Sequence, residues 1–292
     1  MEVIIIRGQI FKGVAGAYQV FVKNKLYENV NARKKLRYKN LYVGDFVEFD
    51  EKQNVIENVF ERKNCLNRPP VANVDKIFIV IANKPKPDFM LVDKLIINAK
   101  LNNIKPVLVV NKTDLATKSF LDDVHSQFDS VLPIYETSAK KDNVLSTLKS
   151  ELKGCLSIFA GQSAVGKSSL LNAILPTANR EVGELSVKTD RGKNCTRESQ
   201  IYVVNNFRIA DTTGFSSFEL KTIRKEQLTD FYDEIKKLSS GCSYNTCNHF
   251  GESETICAVK RAVTDGKINK QRYNRYIELF KQLKEMEKKK YG

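Results

Sequence analysis

Long apolar runs are missing from this chain of 292 residues. The longest are strand-sized, such as Ile77 to Ala82, against about 18 consecutive apolar residues for a membrane helix. No helical span and no membrane partner are expected. The first residues, Met1-Glu2-Val3-Ile4-Ile5-Ile6-Arg7, lack the basic flank, long apolar stretch and small-residue cleavage site of a secretory signal, so a cytoplasmic protein is expected. Histidine is scarce, at two residues. No internal repeat is visible, and the single biased stretch, Lys281 to Lys290, reads as a solvated helix face. Acidic residues are outnumbered, 34 against 48 Lys and Arg, giving a net charge of +14. That balance suggests a polyanionic partner. The excess is densest at the two ends: residues 1–70 carry 13 basic and 8 acidic residues, and residues 218–292 carry 16 and 11.

The six cysteines come without signs of secretion, which makes a disulfide framework the weaker reading. Cys242, Cys247 and Cys257 lie within sixteen residues, and His249 stands among them. Three thiolates and one imidazole suit a closed, tetrahedral, structural Zn²⁺ site. Seven residues separate His249 from Cys257, and Glu252 in that loop is a rival ligand.

Three regions are expected, at 1–67, 71–217 and 218–292. The first reads as short strands, Val3–Ile6, Gly16–Lys23, Leu41–Phe49 and Val55–Glu61, rich in Val, Ile, Tyr and Phe. Several strands in so few residues fit a small closed barrel of the oligonucleotide-binding type. Arg33, Lys34, Lys35, Arg37 and Lys39 around Tyr38 combine phosphate-seeking charge with an aromatic ring and are the predicted RNA contacts. Arg68-Pro69-Pro70 marks the expected boundary. Strand and helix alternate from 71 to 217, predicting a mostly parallel sheet covered by helices, with one antiparallel edge. From 218 onward the pattern is helical, about 219 to 238 and about 263 to 290, with the cysteine-rich loop between.

Gly161-Gln162-Ser163-Ala164-Val165-Gly166-Lys167-Ser168 follows a predicted strand and opens an amphipathic helix through Ser169. That context gives each residue a task. The glycines let backbone N–H groups close around phosphate oxygens, Lys167 neutralises the terminal phosphates, and the Ser168 hydroxyl ligates Mg²⁺. Asp211-Thr212-Thr213-Gly214 ends the next strand pair; Asp211 would act on Mg²⁺ through water, and the Gly214 N–H would face the γ-phosphate. Asn111-Lys112-Thr113-Asp114 reads guanine, because one carboxylate accepts from N1–H and N2–H₂ together. Adenine offers no such pair of donors. Ser138-Ala139-Lys140 fits the last base contact, through the Ala139 N–H. The ligand is GTP or GDP with Mg²⁺.

The order of these motifs is rotated: guanine reading first, phosphate loop second, acidic signature third. With a barrel before and a Cys/His cluster after, the chain resembles the circularly permuted, ribosome small-subunit-dependent GTPase A family of bacteria. Supporting stretches include Arg62 to Pro69, Asn73-Val74-Asp75, Asn111 to Leu115, Gly166 to Asn172, Asp211 to Phe215 and Cys257 to Lys260. The resemblance implies a multidomain α/β protein: an N-terminal oligonucleotide-binding barrel, a permuted P-loop GTPase domain and a C-terminal helical zinc domain. It also implies GTP hydrolysis stimulated by the small ribosomal subunit, late maturation of that subunit, and contact with its rRNA. A monomer is expected. Lys167, Thr196 and Gly214 are the catalytic candidates, with Thr196 also a Mg²⁺ ligand. Asn194 and Cys195 stand where the family usually carries His and Thr, and Phe215 follows the acidic signature, so no side chain is assigned to position water. Ala164 replaces a common loop glycine and fits if its φ is negative. A GTP-gated RNA-binding module with little hydrolysis is the alternative; an ATPase or small-molecule kinase is disfavoured by Asn111 to Asp114.

Overall fold

The computed structural model describes residues 5–14, 16–36, 38–67, 69–139, 142–175, 199–204, 206–211 and 223–291. Five strands, β1 (Ile5–Val14), β2 (Ala17–Val22), β3 (Lys25–Ala32), β4 (Phe46–Asp50) and β5 (Val55–Val59), pair in the order β1-β2-β3-β5-β4, and β4 returns to β1. Closure removes the free edges that would otherwise invite pairing with other chains. Ile10, Val20, Val30, Val47, Phe49 and Ile56 fill the interior. The sequence reading ended the first strand at Ile6, whereas β1 runs on to Val14; Val3 and Ile4 lie outside the described residues. It also overlooked β3. The signal lay at Lys23-Asn24, both at positive φ, which is the backbone of a two-residue hairpin turn.

The expected boundary is itself structured. β6 (Cys65–Asn67) and β7 (Pro70–Ala72) form a separate hairpin with Leu66 opposite Val71, Pro70 being tolerated because a two-stranded ribbon is all edge. β8 (Lys76–Ala82), α1 (Phe89–Leu101), β9 (Lys105–Asn111), α2 (Lys118–Phe128), β10 (Ile134–Glu136), α3 (Asp142–Leu152), β11 (Leu156–Ala160), α4 (Lys167–Ile174), β12 (Gln200–Val204) and β13 (Phe207–Asp211) follow. Their sheet runs β10-β9-β8-β11-β13-β12. All its pairs are parallel except the β12–β13 hairpin, as the pattern predicts. Successive β8 residues face opposite sides. Ile77, Ile79 and Ile81 join Leu95, Ile96 and Val124 in one core, while Phe78 and Val80 join Val109, Leu148 and Leu170 in the other. A strand covered on both faces reads as a continuous apolar run, which is why β8 was legible.

The C-terminal region differs more. The first expected helix is a 3₁₀ stretch, Lys225–Phe231, followed by the short α5 (Asp233–Ser239). The second is split into α6 (Ala258–Thr264) and α7 (Lys270–Tyr291) by a turn at Gly266, φ 74°. The Asp265-Gly266 pair is an ordinary turn signal that the apolar spacing on either side obscured. These elements pack with Ile97 of α1.

A charged knot joins α7 to α1. Arg272, 2% exposed, donates to Asp93 Oδ1 at 2.6 Å and bonds Glu234. Arg275 donates to Asp93 Oδ2 at 2.7 Å and to Gln127 Oε1 at 2.7 Å. Asp93 is 1% exposed, so removing it strands two cations against α1. Asp93→Ala is expected to cost roughly 3 kcal/mol or more, read as a lower urea midpoint. An unchanged midpoint would mean water relieves both arginines.

Candidate nucleotide and metal sites

β9, β10 and β11 are parallel neighbours or near neighbours, so Asn111, Thr137-Ser138 and Gly161 all emerge at one edge, where open α/β sheets bind ligands. Strand order in space, not along the chain, assembles them. Gly161 has φ 132°, and a Cβ there would lie 2.3 Å from Val80 O. Gly166, the N-cap of α4 with φ 96°, could not carry a Cβ either, since Asn111 Nδ2 would be 2.4 Å away. That close approach serves a bond: Asn111, 1% exposed, donates from Nδ2 to Val165 O at 2.9 Å. Lys112 Nζ donates to Ala164 O at 2.8 Å and to Lys84 O at 3.2 Å. The motif that comes first in sequence thus braces the loop that comes second.

Lys167 at the first turn of α4 donates to Gly161 O and Gln162 O, both at 2.7 Å, which spans its ammonium across the loop. Burial lowers its pKa from the ordinary lysine value, and an anion beside it would reverse that shift. Gln162 faces elsewhere: its Oε1 accepts from Asp88 N–H at 3.1 Å, and Asp88 caps α1 through Leu91 N–H. On the base side, Ser138 Oγ donates to Asp114 Oδ1 at 2.7 Å. Thr113 donates from N and from Oγ1 to Thr137 O, each at 3.2 Å, tying the Asp114 turn to β10. Ser163, Ser168 and Ser169 lie on the same loop and helix start, and Asp211 ends β13. Lys140, Asn194, Thr196, Gly214 and Phe215 lie outside the described residues.

Far from this edge, Cys242, Cys247, His249 and Cys257 bring their ligand atoms within 4.8 Å of one another. His249 Nδ1 is 3.6 Å from Cys242 Sγ and 3.5 Å from Cys257 Sγ, and the two sulfurs are 3.9 Å apart. Tetrahedral zinc requires edges of about 3.8 Å between thiolates and about 3.5 Å between thiolate and imidazole, so the donors fit. Burial pushes the Cys247 thiol up to about 12 and raises Cys257 too, so thiolates here need a cation beside them. Glu252 stands outside this cluster of donors. Its carboxylate accepts from Asn248 N–H at 3.0 Å and Phe250 N–H at 2.9 Å, folding the loop back on itself. Tyr273 OH secures His249 O at 2.5 Å.

The family profile described as RsgA GTPase matches residues 59–221. The chain belongs to the RsgA GTPase family. A second profile, 50S ribosome-binding GTPase, matches residues 157–289. Among similar proteins, the small ribosomal subunit biogenesis GTPase RsgA of Caldanaerobacter subterraneus is 38% identical, covering 98% of each chain. Its namesake from Thermotoga maritima is 39% identical over 86% of this chain and 87% of its own. The crystal structure of YjeQ from Thermotoga maritima superposes with a TM-score of 0.82 at 34% identity, covering 96% of this chain and 99% of that one. YloQ, described as a circularly permuted GTPase, gives 0.79 at 30% identity over 97% and 96%. The rotated motif order is therefore a property of this RsgA-family fold, and the chain is a P-loop GTPase.

One expectation about this RsgA-family loop is overturned. Ala164 has φ 64°, not a negative angle, and a Cβ in that region costs on the order of 1 kcal/mol. Its carbonyl is the one that Lys112 holds, which fixes the strained turn. Ala164→Gly is expected to raise stability by about 0.5 kcal/mol after the added freedom of the unfolded chain is counted, seen as a higher melting temperature. A lower one would show that the turn is not strained.

In the barrel, Lys34, Lys35 and Lys39 are exposed beside Tyr38, which is 97% exposed. Arg33 is committed to Glu57 and Gln53, at 2.7 Å each, and Arg37 lies outside the described residues. Sequence reasoning missed the Asp93, Arg272 and Arg275 knot. Its one signal was an acidic residue on the apolar face of α1.

Proposed function

We propose that this GTPase binds the small ribosomal subunit in the cytoplasm, assists its late maturation, and hydrolyses GTP to GDP and phosphate when the subunit stimulates it. The reading rests on three parts: a barrel at 1–67, a permuted GTPase domain at 71–217 and a zinc domain at 218–292. The observation that carries it is the Asn111 bond to Val165, which locks a guanine-reading turn and a phosphate loop into one edge beside a basic barrel. The near-full-length relatives bear the name small ribosomal subunit biogenesis GTPase. They span all three parts, whereas the 50S-binding profile covers less than half the chain, so the small subunit is favoured.

Asp114, positioned by Ser138, accepts the guanine N1–H and N2–H₂, with Lys112 and Thr113 shaping the turn and Ala139 and Lys140 closing it. The backbone from Gly161 through Ser169 cradles the phosphates, and Lys167 draws charge toward the bond being broken. Ser168, Thr196 and Asp211 would hold Mg²⁺, which would supply Lewis acidity to the phosphates. Gly214, which lies outside the described residues, is assigned to the γ-phosphate by its place in the acidic signature alone. Cys242, Cys247, His249 and Cys257 hold one Zn²⁺ that holds the loop between α5 and α6 in place. Lys34, Lys35 and Lys39 with Tyr38 present charge and a stacking face to rRNA. The chain acts as a monomer.

Cosedimentation with a non-hydrolysable GTP analogue tests the partner. The chain should pellet with purified small subunits and not with large ones, and retention on large subunits instead would defeat the assignment. Binding should weaken steeply with salt.

A further inference from the structure

The barrel and the GTPase sheet join through one strand. β1 lies antiparallel to β12 with Lys12 opposite Gln200, and Gln200 stands opposite Asp211 on β13. Lys12, Gln200 and Asp211 are thus laterally aligned on three adjacent strands. At normal strand spacing, about 10 Å separates the barrel backbone from that of Asp211.

Side chains of β1 reinforce the junction alternately. Ile10 fills the barrel, while Phe11 enters the GTPase core and stacks on Phe21 with centroids 4.7 Å apart. Between barrel and sheet sits Gln9, 3% exposed. Its Oε1 accepts from Arg208 Nη1 at 2.6 Å, and its Nε2 donates to Gly44 O at 3.0 Å. Gly44 O also accepts from Asn73 Nδ2 at 3.0 Å, in the stretch that leads to β8. A buried amide is tolerated only when its ends are paired. Gln9 pairs one end with the barrel and the other with the GTPase sheet. Arg208 is three residues before Asp211 on β13. Opposite it, Leu156 begins β11, the strand that enters the glycine-rich loop. One residue of the barrel therefore holds the strand that presents Asp211, beside the strand that presents the phosphate loop.

We propose that Gln9 and Arg208 are positioning residues through which engagement of the barrel by rRNA sets the rate of GTP hydrolysis. This rests on the reading that the small subunit stimulates the enzyme. Neither residue touches nucleotide. A tilt of the barrel moves β1 against β12 and β13, and the Gln9 bond carries that movement to the strand ending at Asp211. The same bonds carry movement the other way, so that a change of nucleotide state at Asp211 reaches the barrel through Arg208 and Gln9, with no equality required between the two effects.

Turnover of the full chain, Arg208→Leu and Arg208→Lys is compared alone and with purified small subunits. Arg208→Leu should keep the wild-type rate alone, GTP affinity and subunit affinity, yet lose about fivefold or more of the stimulation. Arg208→Lys, which retains a cationic donor, should recover part of it. Undiminished stimulation in Arg208→Leu overturns the proposal. So does an equal fall with and without subunits, which marks a local role in β13. A second measurement uses the wild-type chain without ribosomes: amide exchange with GDP against a non-hydrolysable GTP analogue. Exchange across residues 8–12 should change by about fivefold or more between the two, and identical protection overturns the coupling. A wild-type chain that gains nothing from subunits while its barrel still responds to nucleotide would fault the ribosomal reading and leave the Gln9–Arg208 coupling standing.

Discussion

Replacing Asp114 with alanine should lower GTP affinity by about 10²-fold or more, since two hydrogen bonds to a charged acceptor are lost. Guanine brings two donors to one carboxylate, and truncation leaves both without that charged acceptor. The carboxylate is pre-aimed: Ser138 Oγ holds Oδ1 at 2.7 Å, and the Thr113 bonds to Thr137 fix the turn beneath it. The same change should abolish discrimination against ATP, since phosphate binding by the loop and Lys167 is indifferent to the base. Titration with a fluorescent GTP analogue, competed by GTP and ATP, reads both effects. A loss of less than about tenfold, with ATP still rejected, would place base recognition in the backbone instead. Ser138→Ala separates aim from chemistry and should cost about tenfold, the worth of one hydrogen bond to a charged group.

Loss of zinc should be the larger structural event. One buried thiol, two half-buried ones and a buried imidazole bring little stability of their own, and zinc binding to sites of this kind is worth on the order of 10 kcal/mol. Cys257 also caps α6, its sulfur accepting from Lys260 N–H at 3.4 Å, so Cys257→Ser disturbs two functions together. Metal analysis should fall from one zinc per chain to none. Amide exchange should rise across 242–264, while the barrel, 5–59, keeps its protection because its core is separate. Full protection of the loop in a zinc-free chain would show that Tyr273 and the Glu252 turn suffice.

Legibility in the sequence followed physical cause. β8, β9 and β11 are buried on both faces and announce themselves by apolar runs. The glycine-rich loop is legible because its two glycines are forced by contacts with Val80 and Asn111, which no other residue permits. The cluster of Cys242, Cys247, His249 and Cys257 was readable because ligand chemistry fixes residue type and spacing. What escaped depends on distant partners. β3 is half exposed and lacks a strong period. The knot of Asp93 with Arg272 and Arg275 spans about 180 positions, and Gln9 with Arg208 spans 199. The sign of φ at Ala164 follows from the loop's closure under Lys112, which residue type alone does not report. Glu252 looked like a ligand by chemistry and braces the loop by geometry.

In the proposed function, a guanine-specific phosphate site and a ribosome-facing barrel form one machine. GTP hydrolysis measured with and without purified small ribosomal subunits tests it most directly. Stimulation by about 10² or more is expected, within the range that partner-supplied groups reach in GTPase activation. Tight GTP binding with the same slow turnover in both conditions would contradict the account and leave a nucleotide-gated RNA-binding protein.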